Sequence, residues 1–122
     1  MRNLLLTILS LLLLAACTNS ALRTQHSQLA KADSLMHAHP DSALALLQSI
    51  SADSLTDDAN RAYHALLLSQ ALDKNYIDKT DDSLINIAVA YYADKPVTPQ
   101  QMLAHYYHAR IKQNAKAYPE AL

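Results

Sequence analysis

The chain has 122 residues, 51% apolar and 17% charged, with a formal net charge of -1. That is room for one small domain, and it excludes two complete domains, disorder along the whole length and nucleic-acid binding through a basic surface. Gly is absent, where average usage of about 7% would supply roughly eight or nine. Phosphate-cradling loops, dinucleotide fingerprints, nucleophile elbows and two-residue hairpin turns depend on glycine, so an all-α chain remains.

Met1 and Arg2 open the chain with one positive side chain, and an apolar run from Leu4 to Ala16 follows, interrupted by Thr7 and Ser10. The run is shorter than the about 20 residues a spanning helix wants and gives way to Thr18, Asn19 and Ser20. Residues 1–16 therefore read as a signal peptide. Its end, Leu14-Ala15-Ala16-Cys17, resembles the bacterial lipobox: an aliphatic residue, two small ones, and the cysteine that becomes the mature N-terminus. The resemblance implies diacylglycerylation of the Cys17 thiol, cleavage before it and acylation of the new amine. The competing reading is a chance cysteine ending an ordinary secretory peptide. Cys17 is the only cysteine, so no internal disulfide forms and the mature domain must fold on packing alone. Several acyl chains, at about 0.8 kcal/mol per buried CH₂, would tether the chain to a membrane without spanning it. Thr18 and Asn19 follow Cys17, without the aspartate that retains some lipoproteins at an inner membrane or the acidic cluster that sends others to the cell surface. By that analogy the destination is the bacterial outer membrane, facing the periplasm.

Residues 17–21 read as the lipidated Cys17 and a tether running on to about Arg23. Leu22, Leu29 and Met36 then recur every seven residues, with Ala32 and Leu35 beside them, which predicts a helix over 22–38. His39 precedes Pro40 and ends it. Pro40-Asp41 opens a second helix whose stripe is Ala43, Leu44, Leu47 and Ile50. Ser51 to Thr56 is a polar connector. Thr56-Asp57-Asp58 places a hydroxyl cap and two acids before a third helix over 57–74, with Ala59, Ala62, Tyr63, Leu66, Leu67 and Ala71 on its buried face and Lys74 at its end. Thr80-Asp81-Asp82 repeats the signature for a fourth helix to about Ala93, carried by Leu84, Ile87, Ala88, Tyr91 and Tyr92. Thr98-Pro99-Gln100-Gln101 is the clearest start of all, with hydroxyl cap, first-turn proline and a Gln at the capping-box position. The fifth helix continues to about Ala115 on Met102, Tyr106, Ala109 and Ile111 or Gln113. Tyr118-Pro119-Glu120 begins a sixth.

The even-numbered helices open alike, at Pro40-Asp41-Ser42-Ala43-Leu44, Asp81-Asp82-Ser83-Leu84-Ile85 and Tyr118-Pro119-Glu120-Ala121-Leu122, about 37 to 41 residues apart. Residues 22–122 thereby resemble the tetratricopeptide repeat family, most closely in the last unit, where Tyr107-His108-Ala109-Arg110, Tyr118 and Ala121 fall on its pattern. Together with the lipobox, the Ala-Asp-Ser-Leu-Met stretch at 32–36, His-Pro-Asp-Ser-Ala-Leu at 39–44 and the Tyr-Tyr pair, the chain is similar to tetratricopeptide-type lipoproteins of Bacteroidota. The resemblance implies antiparallel helix hairpins stacked as a short α-solenoid. Four residues do not complete a sixth helix, so the face at 102, 106 and 109 is expected to stay partly uncovered. Either the repeat is an incomplete fragment or a partner supplies the missing surface.

Little points to catalysis. His37/His39 and His105/His108 lack a Glu or Asp at metal-motif spacing, and no metal or other cofactor is expected. Asp41-Ser42 and Asp82-Ser83 are first-turn acids and caps, and Asp33-Ser34 reads as a solvent-facing pair. Tyr supplies all seven aromatic residues. Tyr63, Tyr91 and Tyr106 are expected in the core, Tyr92 and Tyr107 on the concave surface where solenoids hold ligands, and Arg110 beside Tyr107 to meet a carboxylate. The expected function is a non-catalytic, lipid-anchored scaffold that captures a protein or peptide. The alternatives are the extracytoplasmic input of a longer signalling protein and a glycan-capturing outer-membrane lipoprotein.

Overall fold

In the computed structural model the described residues are 1–117, apart from the side chains of 15–18 and 117. The sixth helix expected from Tyr118 lies outside them. The described residues are all-helical, without a strand. They form α1 (Arg2–Leu35), α2 (Pro40–Ser49), a 3-10 turn (Ala52–Ser54), α3 (Asp58–Lys74), α4 (Ser83–Tyr92) and α5 (Pro99–Ala117).

α1 corrects two expectations. The tether is absent as an irregular segment, because the helix runs without a break from Arg2 through residues 17–23 to Leu35. None of Thr18 to Arg23 is Gly or Pro, and each can continue a helix begun by the leucine run. The helix is about 51 Å long, and it is long and apolar enough to cross a membrane by length and composition. Its end comes three residues before the expected position, at Leu35, whose carbonyl accepts a hydrogen bond from the His39 amide at 2.8 Å ahead of Pro40.

The other starts follow local chemistry. Pro40 takes the first turn of α2 as expected. The cap of α3 is the Asp57 carboxylate, which accepts the Asn60 amide at 3.1 Å, and not the Thr56 hydroxyl; a charged acceptor also suits the positive end of the helix dipole. Thr98 caps α5 through its hydroxyl, which accepts the Gln101 amide at 3.2 Å. The Gln101 side chain does not close a capping box; it donates to the Tyr92 carbonyl at 2.7 Å and ties α5 to the end of α4. Where many helices are followed by a glycine in left-handed backbone, Tyr76, two residues past the end of α3, takes that conformation at φ 60. The Ile77 amide donates to Leu72 and the Tyr76 amide to Asp73, which closes the end of α3 despite the side chain.

Two cores flank α3. Leu29, Ala32 and Met36 of α1, Ala43 and Leu47 of α2, and Leu67 and Ala71 of α3 form the first. Ala65 and Leu66 of α3, Ile85 and Ala88 of α4, and Ala104, Tyr107 and Ile111 of α5 form the second. α3 thus packs on both sides, and even His64 is buried, its Nε2 3.0 Å from the Leu47 carbonyl. Leu55, in the connector expected to be polar, is buried as well. Ile87, expected in the α4 stripe, is 47% exposed, because Ile85 and Ala88 take the core positions.

α5 carries the largest correction. Met102, Tyr106 and Ala109 do share a stripe, and it points outward, which agrees with a partly uncovered face at 102, 106 and 109 but not with Tyr106 in the core, while Ala104, Tyr107, Ile111 and Asn114 face inward. Both sets have helical spacing, so periodicity alone does not choose between them. The inward set wins because Tyr107 and Ile111 meet Ile85 and Leu66 in the second core.

Candidate functional site

Three tyrosines reach one groove from two helices. Tyr63 lies in the second turn of α3, while Tyr91 and Tyr92 close the last turn of α4; His26 of α1 and Lys95 and Pro96 of the loop after α4 also line it. The groove has a volume of about 510 Å³. A second depression of about 380 Å³ shares His26, Ala59 and Asn60 with it and extends it along α1 to Leu22 and Arg23.

The aromatic groups are held in place. The Tyr63 hydroxyl donates to Asp33 Oδ2 at 2.8 Å, so Asp33 is more than a solvent-facing acid, and the His26 ring lies 5.7 Å from the Tyr63 ring. Tyr91 and Tyr92 meet edge to face, with centroids 5.1 Å apart, an arrangement that suits the ring quadrupoles. Lys95 Nζ sits 4.5 Å over the Tyr91 ring and 3.1 Å from Asp94 Oδ1, a cation–π contact on an exposed rim. The Gln101 bond to the Tyr92 carbonyl holds this end of α4 against the start of α5.

Burial, and after it the hydrogen bond to Asp33, pushes the Tyr63 phenol well above its usual range. Burial also raises Tyr92, with Tyr91 adding to it. Both phenols stay protonated into more alkaline solution than a free tyrosine, and the Tyr63 O–H is already donated to Asp33. The groove offers ring faces, the amides of Asn60 and Gln100, and one ammonium, a set suited to an apolar side chain flanked by hydrogen-bonding groups.

The three residues expected to bind a partner do not form one surface. Tyr92 lines the groove. Tyr107 is 6% exposed inside the second core, where burial raises its phenol and the nearby Asp73 adds to the shift. Arg110 already has a carboxylate, with Nε and Nη2 at 3.2 and 3.1 Å from Asp73 Oδ1. Tyr106, expected in the core, is 55% exposed. The groove instead recruits Tyr63, Tyr91 and His26, whose convergence from α1, α3 and α4 has no signature in local sequence.

The side chains of Ala15, Ala16 and Cys17 lie outside the described set, and Leu14 is 66% exposed. His108 Nε2 lies 3.2 Å from Asp82 Oδ2, and Lys112 Nζ 3.4 Å from the same oxygen. Those contacts hold the Asp82 carboxyl below the usual range, His108 contributing most. Among the described residues no three His, Cys, Asp or Glu side chains gather as a metal-binding group. No family model, curated protein or solved structure matches the chain.

Proposed function

We propose that this chain is a lipid-anchored helical-repeat scaffold that holds a protein or peptide partner in the bacterial cell envelope and has no chemistry of its own. In this reading residues 1–16 are removed, Cys17 carries the lipid and the tetratricopeptide-like hairpins present the partner site. The observation that carries the binding role is the groove itself, with Tyr63, Tyr91 and Tyr92 converging on about 510 Å³. Tyrosine combines a large contact area with little conformational freedom to lose, which makes it effective in recognition. The anchor is supported by the Leu14-Ala15-Ala16-Cys17 sequence after an apolar run.

A photo-cross-linking residue at Gln100, in the full chain in living cells, tests the binding role. Polypeptide adducts are expected, reduced about tenfold or more in the Tyr91→Ala, Tyr92→Ala double variant, since each aromatic anchor is worth about 1 kcal/mol or more. Absence of polypeptide adducts, or glycan adducts alone, contradicts it. Cys17→Ser tests the anchor separately: the variant is expected to lose the acyl mass, and a mass that differs from the parent chain only by the exchange of sulfur for oxygen contradicts lipidation.

A further inference from the structure

α1 leads from an apolar stretch straight into the fold. Its large side chains from Leu4 to Leu14 are exposed, and because the helix is unbroken to Leu35 it holds that stretch at one end of the bundle. α3 runs parallel to α1: Asn60 near its start donates to the Leu22 carbonyl at 3.4 Å, Tyr63 meets His26, and Leu67 and Ala71 further on share a core with Leu29 and Met36. Gln25 Nε2 donates to the Ser54 carbonyl at 2.9 Å, so the 3-10 turn lies at the end where the apolar stretch leaves. The loop 93–98 lies there too, because Lys95, Pro96 and Thr98 line the groove together with His26. Tyr76 is at the opposite end, next to Asn75, whose Nδ2 donates to the Pro40 carbonyl at 2.9 Å.

The loop and the turn before it have the make-up of a lipid interface. Tyr91 and Tyr92 precede the loop, Lys95 lies over the Tyr91 ring, and Val97, next to Pro96, is 80% exposed. Tyrosine and lysine suit the hydrocarbon edge, since each joins an apolar body to a tip that stays among polar head groups. Charge is not the attraction, because Arg23, Arg61 and Lys95 at this end are outnumbered by Asp53, Asp57, Asp58 and Asp94. The reach is sufficient. His26 is ten residues past Ala16, about 15 Å along the helix, and a head-group layer is about 5 to 8 Å deep. α4 joins α1 through α3, which shares a core with each, so its last turn lies between one and two helix spacings to the side, roughly 15 Å. A tilt of about 20 to 40°, within the range of membrane helices, lowers that flank by about 5 to 10 Å and brings the loop to the head groups.

We propose that the loop 93–98, with Tyr91 and Tyr92, is a second membrane contact that seats this end of the bundle on a zwitterionic lipid surface and places the tyrosine groove beside it. The contact rests on membrane attachment at the α1 end, by acyl chains on Cys17 or by a retained apolar stretch, and not on what the groove holds. The chain contains no tryptophan, so Val97→Trp and Tyr76→Trp each supply a single fluorophore, one at the near end and one at the far end. Both positions are exposed, at 80% and 92%, and both variants are expected to keep their helical circular dichroism. The full chain is isolated from cell membranes and placed in phosphatidylcholine nanodiscs that contain brominated lipid. The Val97→Trp variant is expected to lose fluorescence to the bromine and shift to the blue, and the Tyr76→Trp variant to do neither. Equal quenching of the two, or none in Val97→Trp while the chain stays in the disc, overturns the proposal and leaves partner binding untouched. A chain that does not enter the disc overturns the proposal together with the anchor. Quenching that needs anionic lipid and disappears in high salt assigns the contact to charge and overturns it too. The unsubstituted chain gives a second readout: nitroxide-bearing lipid should broaden the Val97 methyl resonances and spare Val89, which packs against the second core. Sharp Val97 resonances overturn the proposal as the absence of quenching does.

Discussion

α3 and α5 each turn one stripe toward the preceding helices, yet on their other side Leu66 of α3 is 1% exposed and the residue forty positions later, Tyr106 of α5, is 55% exposed. The difference lies in the neighbours, since α4 and α5 close over α3 and none of the described helices closes over α5. A helix buries a face only where a neighbour packs on it, so burial is distributed unequally between the two helices. The covered face of α3 contributes to folding. The exposed stripe of α5 contributes little to it.

Substitutions at equivalent positions sharpen the contrast. Leu66→Ala removes a fully buried side chain from the second core and should cost about 2 to 5 kcal/mol in denaturant unfolding. Thr98→Ala removes the hydroxyl that accepts the Gln101 amide and should cost about 1 kcal/mol, loosening the start of α5 and the neighbouring groove rim. A smaller effect is expected in acid. The Asp82 carboxyl, held below its usual range by His108 and then Lys112, stabilises the fold above about pH 3.9 and loses that contribution as pH falls through its folded value. His108→Gln should therefore make the decline of stability below about pH 4 shallower in urea titrations across pH. Tyr106→Ala should change stability least, within about 0.5 kcal/mol. A cost as large as that of Leu66→Ala would break the comparison between the two helices.

The element starts were legible because they are local: Pro40 after His39, the acids at 57 and 58, and Thr98 before Pro99 each declare a helix in three or four residues. Helix faces were legible only where one apolar stripe dominates, as in Ala43 and Leu47 of α2. In α5 two stripes compete, Met102/Tyr106/Ala109 and Ala104/Tyr107/Ile111, and long-range packing against Ile85 and Leu66 decides between them. The same nonlocality hid the groove. The sequence places Tyr63 and Tyr91 in the core and Tyr92 at the surface; Tyr63 does pack against the first core and Tyr92 against the second, both half-buried, and nothing near His26 in sequence announces that its ring meets Tyr63. The break expected at 20–23 failed for a different reason: a polar stretch without Gly or Pro does not stop a helix already begun.

Tyr106 and Tyr107 are adjacent in sequence, so oxidative footprinting of the intact protein under native conditions measures the register of α5 directly. The structure predicts rapid modification of Tyr106 and Met102 and protection of Tyr107, which is 6% exposed. Protection of Tyr106 and Met102 with modification of Tyr107 would turn the other stripe inward and contradict the contrast between α3 and α5.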